Sequence, residues 1–529
     1  MAYHTPLYLL IFLPLVLIAY QLTPPKKRWV ILLTASYIFF YSFSGKLVLV
    51  LIGTTLFIHY IGLWLFQLQE ERRSMLAQAE SHEKNSLRKL CKKRERRVLV
   101  GGILSLLAVL GYLKYSNFFL TNVNMIWEHF GWNDLFSPAK LILPIGISFY
   151  TLQAISYIVD VYWEKIPVQK HLGKLALYLA FFPQLMEGPI SMYHQTSDQL
   201  FKGESVRWDN LRAGIIRILW GLFKKIVIAD RLNAFVGNVF DNHHQYSGAI
   251  IVLAAVAYTI QLYMEFSGCM DIVLGSGKLF GITLPENFRQ PFASKNAAEF
   301  WRRWHITLGI WLKTYVFYPV STSQFVKKWN KFGKKHLNRY VTRLGVTAIS
   351  LFPVWFINGI WHGASWNYIF FGLYYFVILL AGTAFEPVRE KLLLLLHIDE
   401  DALPWHALQV VKTWGIIVIG ELIFRASGMK SALEMIVSVF QNPAFYKLWD
   451  GSVFQLGLDV GDFQAIVFGV GIVAIIGHLR ERHLIAETTL KKCPDAAFWA
   501  LCLCLSLSII ILGAYGYGYQ QVDLIYAGF

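Results

Sequence analysis

The chain has 529 residues, of which 56% are hydrophobic and 16% aromatic, and its mean hydropathy is +0.45. A soluble protein of this length would divide into domains with polar surfaces, whereas apolar runs recur here along the whole sequence. The formal net charge of +16 comes from Lys and Arg clusters in the short hydrophilic breaks, such as "RKLCKKRERR" at 88–97. Such clusters beside apolar runs are typical of cytoplasmic loops of membrane proteins and argue against a nucleic-acid-binding surface.

The apolar runs are the main indication of the fold class. A helix needs roughly 20 apolar residues to cross about 30 Å of hydrocarbon. Runs on this scale recur, for example at 7–20, 47–66, 98–113 and 465–477. We count roughly eleven to thirteen spanning or re-entrant segments of this length. The sequence therefore predicts an all-α polytopic membrane protein that forms a single membrane domain over residues 1–529.

The centre of the chain, residues 140–380, departs from the pattern of regular spans. The segment "FFPQLMEGPI" (181–190) combines two prolines, a glycine and a glutamate with apolar residues, and 279–305 is interrupted in a similar way. Irregular backbone at membrane depth is tolerated where protein covers it or water fills a cavity. We therefore expect re-entrant helices around a cavity in this centre, and additional membrane helices over 400–529.

His362 lies in "VWFINGIWHGASWNYIFFG" (354–372), a stretch without a charged residue. An ionisable side chain at membrane depth is costly and indicates a functional site. Burial favours the neutral imidazole, which can take a proton from a hydroxyl, as general-base catalysis of acyl transfer requires. The alternative is a core histidine that hydrogen-bonds a neighbouring helix, and the pattern leaves both interpretations open.

His305 follows "EFWRRW" (299–304), and Arg302 and Arg303 indicate a position near the cytoplasmic boundary of the membrane. One interpretation of His305 is an interfacial residue in an aromatic belt. Another is that the two arginines bind the phosphates of an acyl-CoA or an acidic carrier protein. Spacing in the sequence does not decide whether His305 and His362 come together.

The remaining polar residues in apolar surroundings give weaker signals. Glu187, Glu265 and Asp271 could line a tunnel, or they could form charge pairs with a structural role. His243 and His244 are not accompanied by a pattern of carboxylates, so no metal site is predicted there. The five cysteines show neither a disulfide framework nor CxxC spacing.

These motifs together resemble the membrane-bound O-acyltransferase (MBOAT) family, and most of all its bacterial branch that acetylates alginate and other exported polysaccharides. The likeness begins at "LPIGISFYTLQAISYIVDVY" (143–162) and "FFPQLMEGPI" (181–190). It continues through "FSGCMDIVLGSGKLFGITLPENF" (266–288) and "EFWRRWHITLGIWLKTYVFYPV" (299–320) to "NGIWHGASWNYIFFGLYY" (358–375). These segments cover the central half of the chain in order.

The resemblance implies tilted helices around a thin core with a central tunnel, and a catalytic core at 140–380. It implies that His362 is the catalytic residue and that His305 is a second polar position nearer the cytoplasmic entrance. The further candidates for tunnel or substrate contacts are Trp304, Arg302, Arg303, Asn358, Trp361, Glu187, Glu265 and Asp271.

The resulting prediction is a multi-pass enzyme of a bacterial cytoplasmic membrane. It would move an acetyl group from a cytoplasmic thioester such as acetyl-CoA to hydroxyls of an exported polysaccharide or cell-wall glycan. The acceptor would be the glycan itself or an SGNH-type relay protein outside the membrane, with membrane lipids as the other partner. No bound cofactor, metal or nucleic acid is predicted.

Two alternatives stay open at this point. One is D-alanyl transfer from a carrier protein to teichoic acid, the activity of another branch of the family that the chain resembles. The membrane helices predicted beyond residue 400 favour the polysaccharide branch. A transporter or channel belongs to a different class and predicts rings or pairs of intramembrane charge. The two tryptophan-flanked histidines fit that class less well.

Overall fold

The computed structural model describes residues 2–131, 143–482, 484 and 493–515. These residues are mostly helical and include no β-strand, which confirms the predicted all-α class. The α-helices are α1 (Leu13–Leu22), α2 (Arg28–Ser44), α3 (Val48–Gln78), α4 (Lys84–His129), α5 (Ile147–Tyr162), α6 (Leu172–Ala180), α7 (Tyr193–Lys202), α8 (Trp208–Leu222), α9 (Asp230–Asp241), α10 (Gly248–Leu279), α11 (Ala297–Arg303), α12 (Ile306–Leu312), α13 (Tyr318–Ser321), α14 (Gln324–His336), α15 (Arg339–His362), α16 (Trp366–Leu395), α17 (Leu403–Arg425), α18 (Met429–Gln441), α19 (Val460–Glu481) and α20 (Asp495–Leu512).

Shorter helical turns extend or connect these helices. Wider π-helical turns occur at Leu7–Phe12, Phe223–Ala229 and Lys313–Phe317. Tighter 3-10 turns occur at Pro25–Lys27, Gly45–Leu47, His243–Gln245, Pro291–Ala293, Phe445–Leu448 and Ser452–Gln455.

Within the described ranges, eight helical stretches are long and apolar enough to cross a membrane. They are Pro25–Gln78, Lys84–His129, Gly248–Leu279, Arg339–His362, Trp366–Leu395, Leu403–Arg425, Val460–Glu481 and Asp495–Leu512. The chain is therefore a multi-pass membrane protein, as predicted. The central tunnel, the single membrane domain and the limits 140–380 and 400–529 stay predictions.

The described chain forms two compact units, of which the first comprises Met1–Gly214 and Ser276–Pro285. In this unit α3 packs against α4 and α5. Arg72 on α3 pairs with the fully buried Glu95 of α4 at 2.6 Å, and it also pairs with Glu164, which follows α5. Arg73 contacts the second carboxylate oxygen of Glu164 at 2.9 Å. The charged ends of these three helices are therefore joined by one network.

The second unit comprises Ile215–Gly275 and Glu286–Phe529. In this unit α15 packs against α16, and the two backbones approach closely at two glycines. A Cβ atom at Gly359 would lie 2.5 Å from the carbonyl oxygen of Tyr368, and one at Gly372 would lie 2.3 Å from that of Trp355. Since no larger side chain fits these distances, glycine sets the spacing of the two helices.

The segment between α10 and α14 is broken, in agreement with the expectation for 279–305. After α10 ends at Leu279, the chain has no helix until Pro291 and then forms the short helices α11, α12 and α13. The helix α18 is anchored by the fully buried Ala432 and Met435.

Candidate active site

His305 and His362 line the same cavity in the second unit. The cavity has an empty volume of about 450 Å³, part of which is open to the surroundings. It is lined by Trp301, Trp304, His305, Leu308, Gly309, Leu312, Val354, Trp355, Asn358 and His362. The two histidines therefore come together in the structure, which spacing in the sequence did not decide. The predicted residues Trp304 and Asn358 line the cavity with them.

The α15 wall of the cavity follows from helical spacing. Trp355, Asn358 and His362 are three and four positions apart, and residues at this spacing share one face of a helix. His362 is 6% exposed, and the rings of Phe371 and Phe424 lie edge-on to its imidazole at centroid distances of 5.6 and 5.0 Å. Two apolar rings that do not line the cavity therefore pack against the His362 imidazole.

The position of Phe424 is set by an amide side chain at the start of α16. Asn367 donates hydrogen bonds from Nδ2 to the backbone oxygens of Phe424 and Ala426, at 3.1 and 3.2 Å. These bonds also occupy carbonyl groups at the end of α17, which the helix itself leaves without partners. Asn367 therefore fixes one part of the aromatic enclosure around His362.

His305 occupies the break between α11 and α12. Trp304 is extended, and His305 has a φ of +44°, in the left-handed region that residues other than glycine seldom adopt. Backbone strain of this kind tends to concentrate at functional sites, where the surrounding structure holds it in place. The turn lets α12 begin at Ile306 and leaves the His305 side chain 3% exposed.

Asn287 determines which ring nitrogen of His305 carries the proton. The backbone N–H and the hydroxyl of Thr307 contact Asn287 Oδ1 at 3.2 and 2.9 Å. A backbone N–H can only donate, so this atom of Asn287 must be the amide oxygen. Nδ1 of His305 lies 3.1 Å from the same oxygen and must therefore be the protonated nitrogen, which leaves the lone pair on Nε2.

His305 lies outside the eight candidate spans, and burial lowers the pKa of its imidazole to about 3. The ring is therefore neutral at physiological pH. Trp361 is not among the residues that line the cavity, but its ring contacts both imidazoles, with centroid distances of 5.5 Å to His305 and 5.0 Å to His362. Trp361 thus connects the two histidines by ring packing.

The predicted residues Arg302, Arg303 and Glu187 do not line this cavity either. Arg303 pairs with Glu299 at 2.8 Å and with Glu481 at 2.6 Å, which ties α11 to α19. Arg302 is exposed, and its binding of donor phosphates stays a prediction. Glu187 is buried in the first unit.

The two acids of α10 form buried ion pairs away from the cavity lining. Glu265 lies 2.8 Å from Lys225, and Asp271 lies 2.6 Å from Lys224 and 2.9 Å from Arg217. Removing one member of a buried pair leaves an uncompensated charge, which is strongly destabilising. The geometry therefore favours the structural interpretation of Glu265 and Asp271 over the tunnel interpretation.

The sequence alone did not indicate Asn287, Trp301 or Trp355 as site residues. For the tryptophans a signal was present, because Trp301 precedes His305 by four positions and Trp355 precedes His362 by seven, both helical spacings. Asn287 gave no such signal, since it lies outside any helix, 18 residues before His305.

The fold and this site define a multi-pass membrane protein with a histidine-lined cavity. Residues 165–323, a range that includes His305, match the family described as "MBOAT, membrane-bound O-acyltransferase family". The chain is 32% identical over 501 residues to the probable alginate O-acetylase AlgI of Pseudomonas aeruginosa, covering 94% of this chain and 85% of that protein. The chain therefore belongs to the membrane-bound O-acyltransferase family and is an O-acyltransferase, as predicted.

Two further relatives are named for other activities. The peptidoglycan O-acetyltransferase of Helicobacter pylori is 31% identical over 470 residues, covering 82% of this chain and 79% of the relative. The teichoic acid D-alanyltransferase of Bacillus subtilis is 31% identical over 262 residues, covering 48% of this chain and 62% of the relative. The likeness to the two O-acetylating relatives thus extends over much more of the chain.

Proposed function

We propose that this O-acyltransferase transfers an acetyl group from a cytoplasmic thioester, such as acetyl-CoA, to hydroxyls of an exported polysaccharide or cell-wall glycan. The observation that carries the proposal is the single cavity that both His305 and His362 line. Its lining combines two imidazoles and the amide of Asn358 with apolar and aromatic side chains, the composition that is typical of small-molecule sites. The names of the alginate and peptidoglycan relatives support acetyl as the group and a glycan as the acceptor.

His362 is the general base in this proposal. Its neutral imidazole takes the proton from the acceptor hydroxyl while the oxygen attacks the thioester carbonyl carbon. The tetrahedral intermediate then expels the thiolate as the C–S bond breaks, and the imidazolium returns its proton to the sulfur. The products are the acetyl ester and the free thiol, so His362 is restored in each cycle.

His305 has a supporting role in the same cavity. Because Asn287 holds the proton on Nδ1, Nε2 of His305 is the ring atom that can accept a hydrogen bond. We assign it to orienting the hydroxyl or the donor, which brings the reacting atoms together at a smaller entropic cost. Asn287 is then a positioning residue that acts through His305.

The acceptor lies outside and the donor inside, so the proposal also places the enzyme in a bacterial cytoplasmic membrane. A relay protein of the SGNH type that receives the acetyl group outside the membrane fits the same chemistry, because a serine hydroxyl is an acceptor equivalent to a sugar hydroxyl. Membranes with and without such a protein would distinguish direct transfer from relayed transfer.

The test is transfer of labelled acetyl from acetyl-CoA in membranes that contain the wild type or His362→Ala at matched expression. The control is His82→Ala, which removes a histidine whose side chain is 76% exposed in the first unit. We expect label on a glycan or relay protein with the wild type and the control, and its loss with His362→Ala. Equal labelling by all three would refute His362 as the base.

D-alanyl transfer is the second candidate, favoured by the 31% identity to the teichoic acid D-alanyltransferase over 48% of this chain. Labelled D-alanine on its carrier protein is the parallel substrate. Transfer of D-alanine in the absence of acetyl transfer would replace the proposed activity while leaving the role of His362 to be tested in the same way.

A further inference from the structure

The turn between α9 and α10 meets α18 at three side chains that are common metal ligands. His243 and His244 belong to the turn His243–Gln245, and Glu434 lies in α18. One nitrogen from each imidazole and one oxygen from the carboxylate all lie within 4.8 Å of one another. We propose that these side chains bind a divalent transition-metal ion of the Zn²⁺ type, a site that is independent of the acyl-transfer proposal.

The distances between the ligand atoms fit this coordination. Nε2 of His243 lies 3.2 Å from Oε2 of Glu434, and Nε2 of His244 lies 3.7 Å from the same oxygen. Two ligands of a tetrahedral Zn²⁺ ion with bonds of about 2.0–2.2 Å lie about 3.3–3.6 Å apart. The side chains of His244 and Glu434 are 71% and 36% exposed, so both can make the small rotations needed. The remaining coordination position is left for water.

The backbone holds the two segments together without help from a metal. The N–H of Gly248 donates to the carbonyl of Asn442 at 2.7 Å, and that of Ala249 donates to Pro443 at 2.9 Å. A Cβ atom at Gly248 would lie 2.4 Å from the Cα of Val439, so the start of α10 and the end of α18 are in direct contact. The ligands are therefore arranged before the ion binds, which reduces the entropic cost of binding.

The donor set determines the class of ion. Two imidazoles and one carboxylate suit Zn²⁺, Co²⁺, Ni²⁺ or Cu²⁺, whereas Ca²⁺ and Mg²⁺ prefer oxygen ligands. Two cations lie nearby. Lys430 is 3.9 Å from Glu434, but its side chain is 91% exposed and can turn away, and Arg425 pairs with Asp241 at 3.7 Å. Arg425 is thus engaged by another carboxylate, and Lys430 contacts the Glu434 oxygen that is not the one nearest the two imidazoles.

The surroundings of His243 limit the affinity. A metal on Nε2 places the ring proton on Nδ1, which is buried and has no hydrogen-bond partner among the described residues. Losing such a supporting partner typically weakens metal binding by about 10–100-fold. We therefore assign reversible binding that responds to the metal concentration, rather than a permanently held structural ion.

The test is titration of the purified, chelator-treated full-length protein with ZnCl₂ against a chromophoric indicator. We expect the wild type to bind one saturable equivalent of Zn²⁺. The affinity should be at least about 10-fold weaker in Glu434→Gln and in His244→Ala, because losing a group that only supports a ligand already weakens metal binding by about that factor. Glu434→Gln retains the size of the side chain and can still accept a hydrogen bond from His243. His82→Ala is the matched control and should bind as the wild type does.

Two results would overturn the site. One is the absence of saturable binding. The other is binding that Glu434→Gln and His244→Ala leave unchanged while the metal-free melting temperatures stay equal, since the ion would then bind elsewhere. Co²⁺ gives an independent readout, because four-coordinate Co²⁺ absorbs visible light much more strongly than six-coordinate Co²⁺. We expect the strong band with the wild type and its loss with Glu434→Gln, and a weak six-coordinate band with the wild type would contradict the proposed geometry.

Discussion

Asn287 Oδ1 accepts a 3.1 Å hydrogen bond from His305 Nδ1, and this contact fixes the tautomer of a histidine that lines the cavity. The assignment rests on Thr307, whose backbone N–H donates to the same oxygen. A residue outside the cavity lining thereby decides which nitrogen of His305 carries the proton and which carries the lone pair.

Replacing Asn287 tests this positioning role. We expect Asn287→Ala to lower kcat by about 10-fold or more with a smaller effect on KM, since acid–base groups contribute about 100–10,000-fold when they are held correctly. Asn287→Asp can still accept the hydrogen bond from Nδ1–H of His305 and should retain more activity. Its carboxylate also favours the imidazolium, so its pH–rate profile should shift to higher pH. Equal pH profiles for wild type and Asn287→Asp would contradict the tautomer argument.

The two cavity histidines should differ in the size of their effects. His362→Ala removes the proposed base, and we expect kcat/KM to fall by about 100–10,000-fold. His305→Ala should cost less, because it removes an orienting contact. Steady-state kinetics in detergent or nanodiscs measure both values. A larger loss with His305→Ala than with His362→Ala would reverse the assignment of the base.

The spacing of α15 and α16 should be sensitive to a single methyl group. We expect Gly359→Ala to destabilise the protein by roughly 1–3 kcal/mol, the usual cost of overpacking, because the new Cβ would lie 2.5 Å from the carbonyl of Tyr368. Activity should fall as well, since Gly359 is next to Asn358 of the cavity wall. Gly382→Ala, on the partner helix α16, is the control, with nothing within 4 Å of its Cβ.

Thermal unfolding of both variants checks this prediction. Alanine in place of a helical glycine is worth up to about 1 kcal/mol in favour of the helix, so Gly382→Ala should be neutral or slightly stabilising. Similar melting temperatures for Gly359→Ala and the wild type would show that the helices can separate without loss.

The ion-pair network of the first unit should make stability depend on acidic pH. The hydrogen bond from Arg73, followed by that from Arg72, lowers the pKa of Glu164 to about 2 from its ordinary value of 4.5. Because the folded-state pKa is below the unfolded one, the stabilisation is present above about pH 4.5 and is lost as the pH falls toward 2. Glu164→Gln should lower the melting temperature at pH 7, with a difference that shrinks below pH 4.5.

The control for Glu164 is Glu390→Gln, which removes an exposed carboxylate on α16. It should have little effect at either pH. A constant difference between Glu164→Gln and the wild type from pH 7 to pH 3 would mean that the Arg72 and Arg73 contacts do not stabilise the charged form.

Local sequence determined the class of the protein and the first catalytic candidate. Long apolar runs have to become spanning helices, since a bilayer offers no partner for an exposed backbone group. His362 was recognisable because an ionisable residue in an uncharged apolar stretch is costly and is retained for a reason. The expectation of broken helices near His305 was equally local, because Pro and Gly interrupt a helix wherever they occur.

Tertiary structure decided what depends on contacts between distant segments. It placed His305 and His362 on one cavity, supplied Asn287 to fix a tautomer, and paired the acids of α10 with lysines and an arginine. It also brought Glu434 to His243, a carboxylate that no spacing around the histidines could reveal. Hydrogen bonds and ion pairs form over about 3 Å, so whether they exist depends on how the helices pack. The order of residues within one segment does not determine that packing.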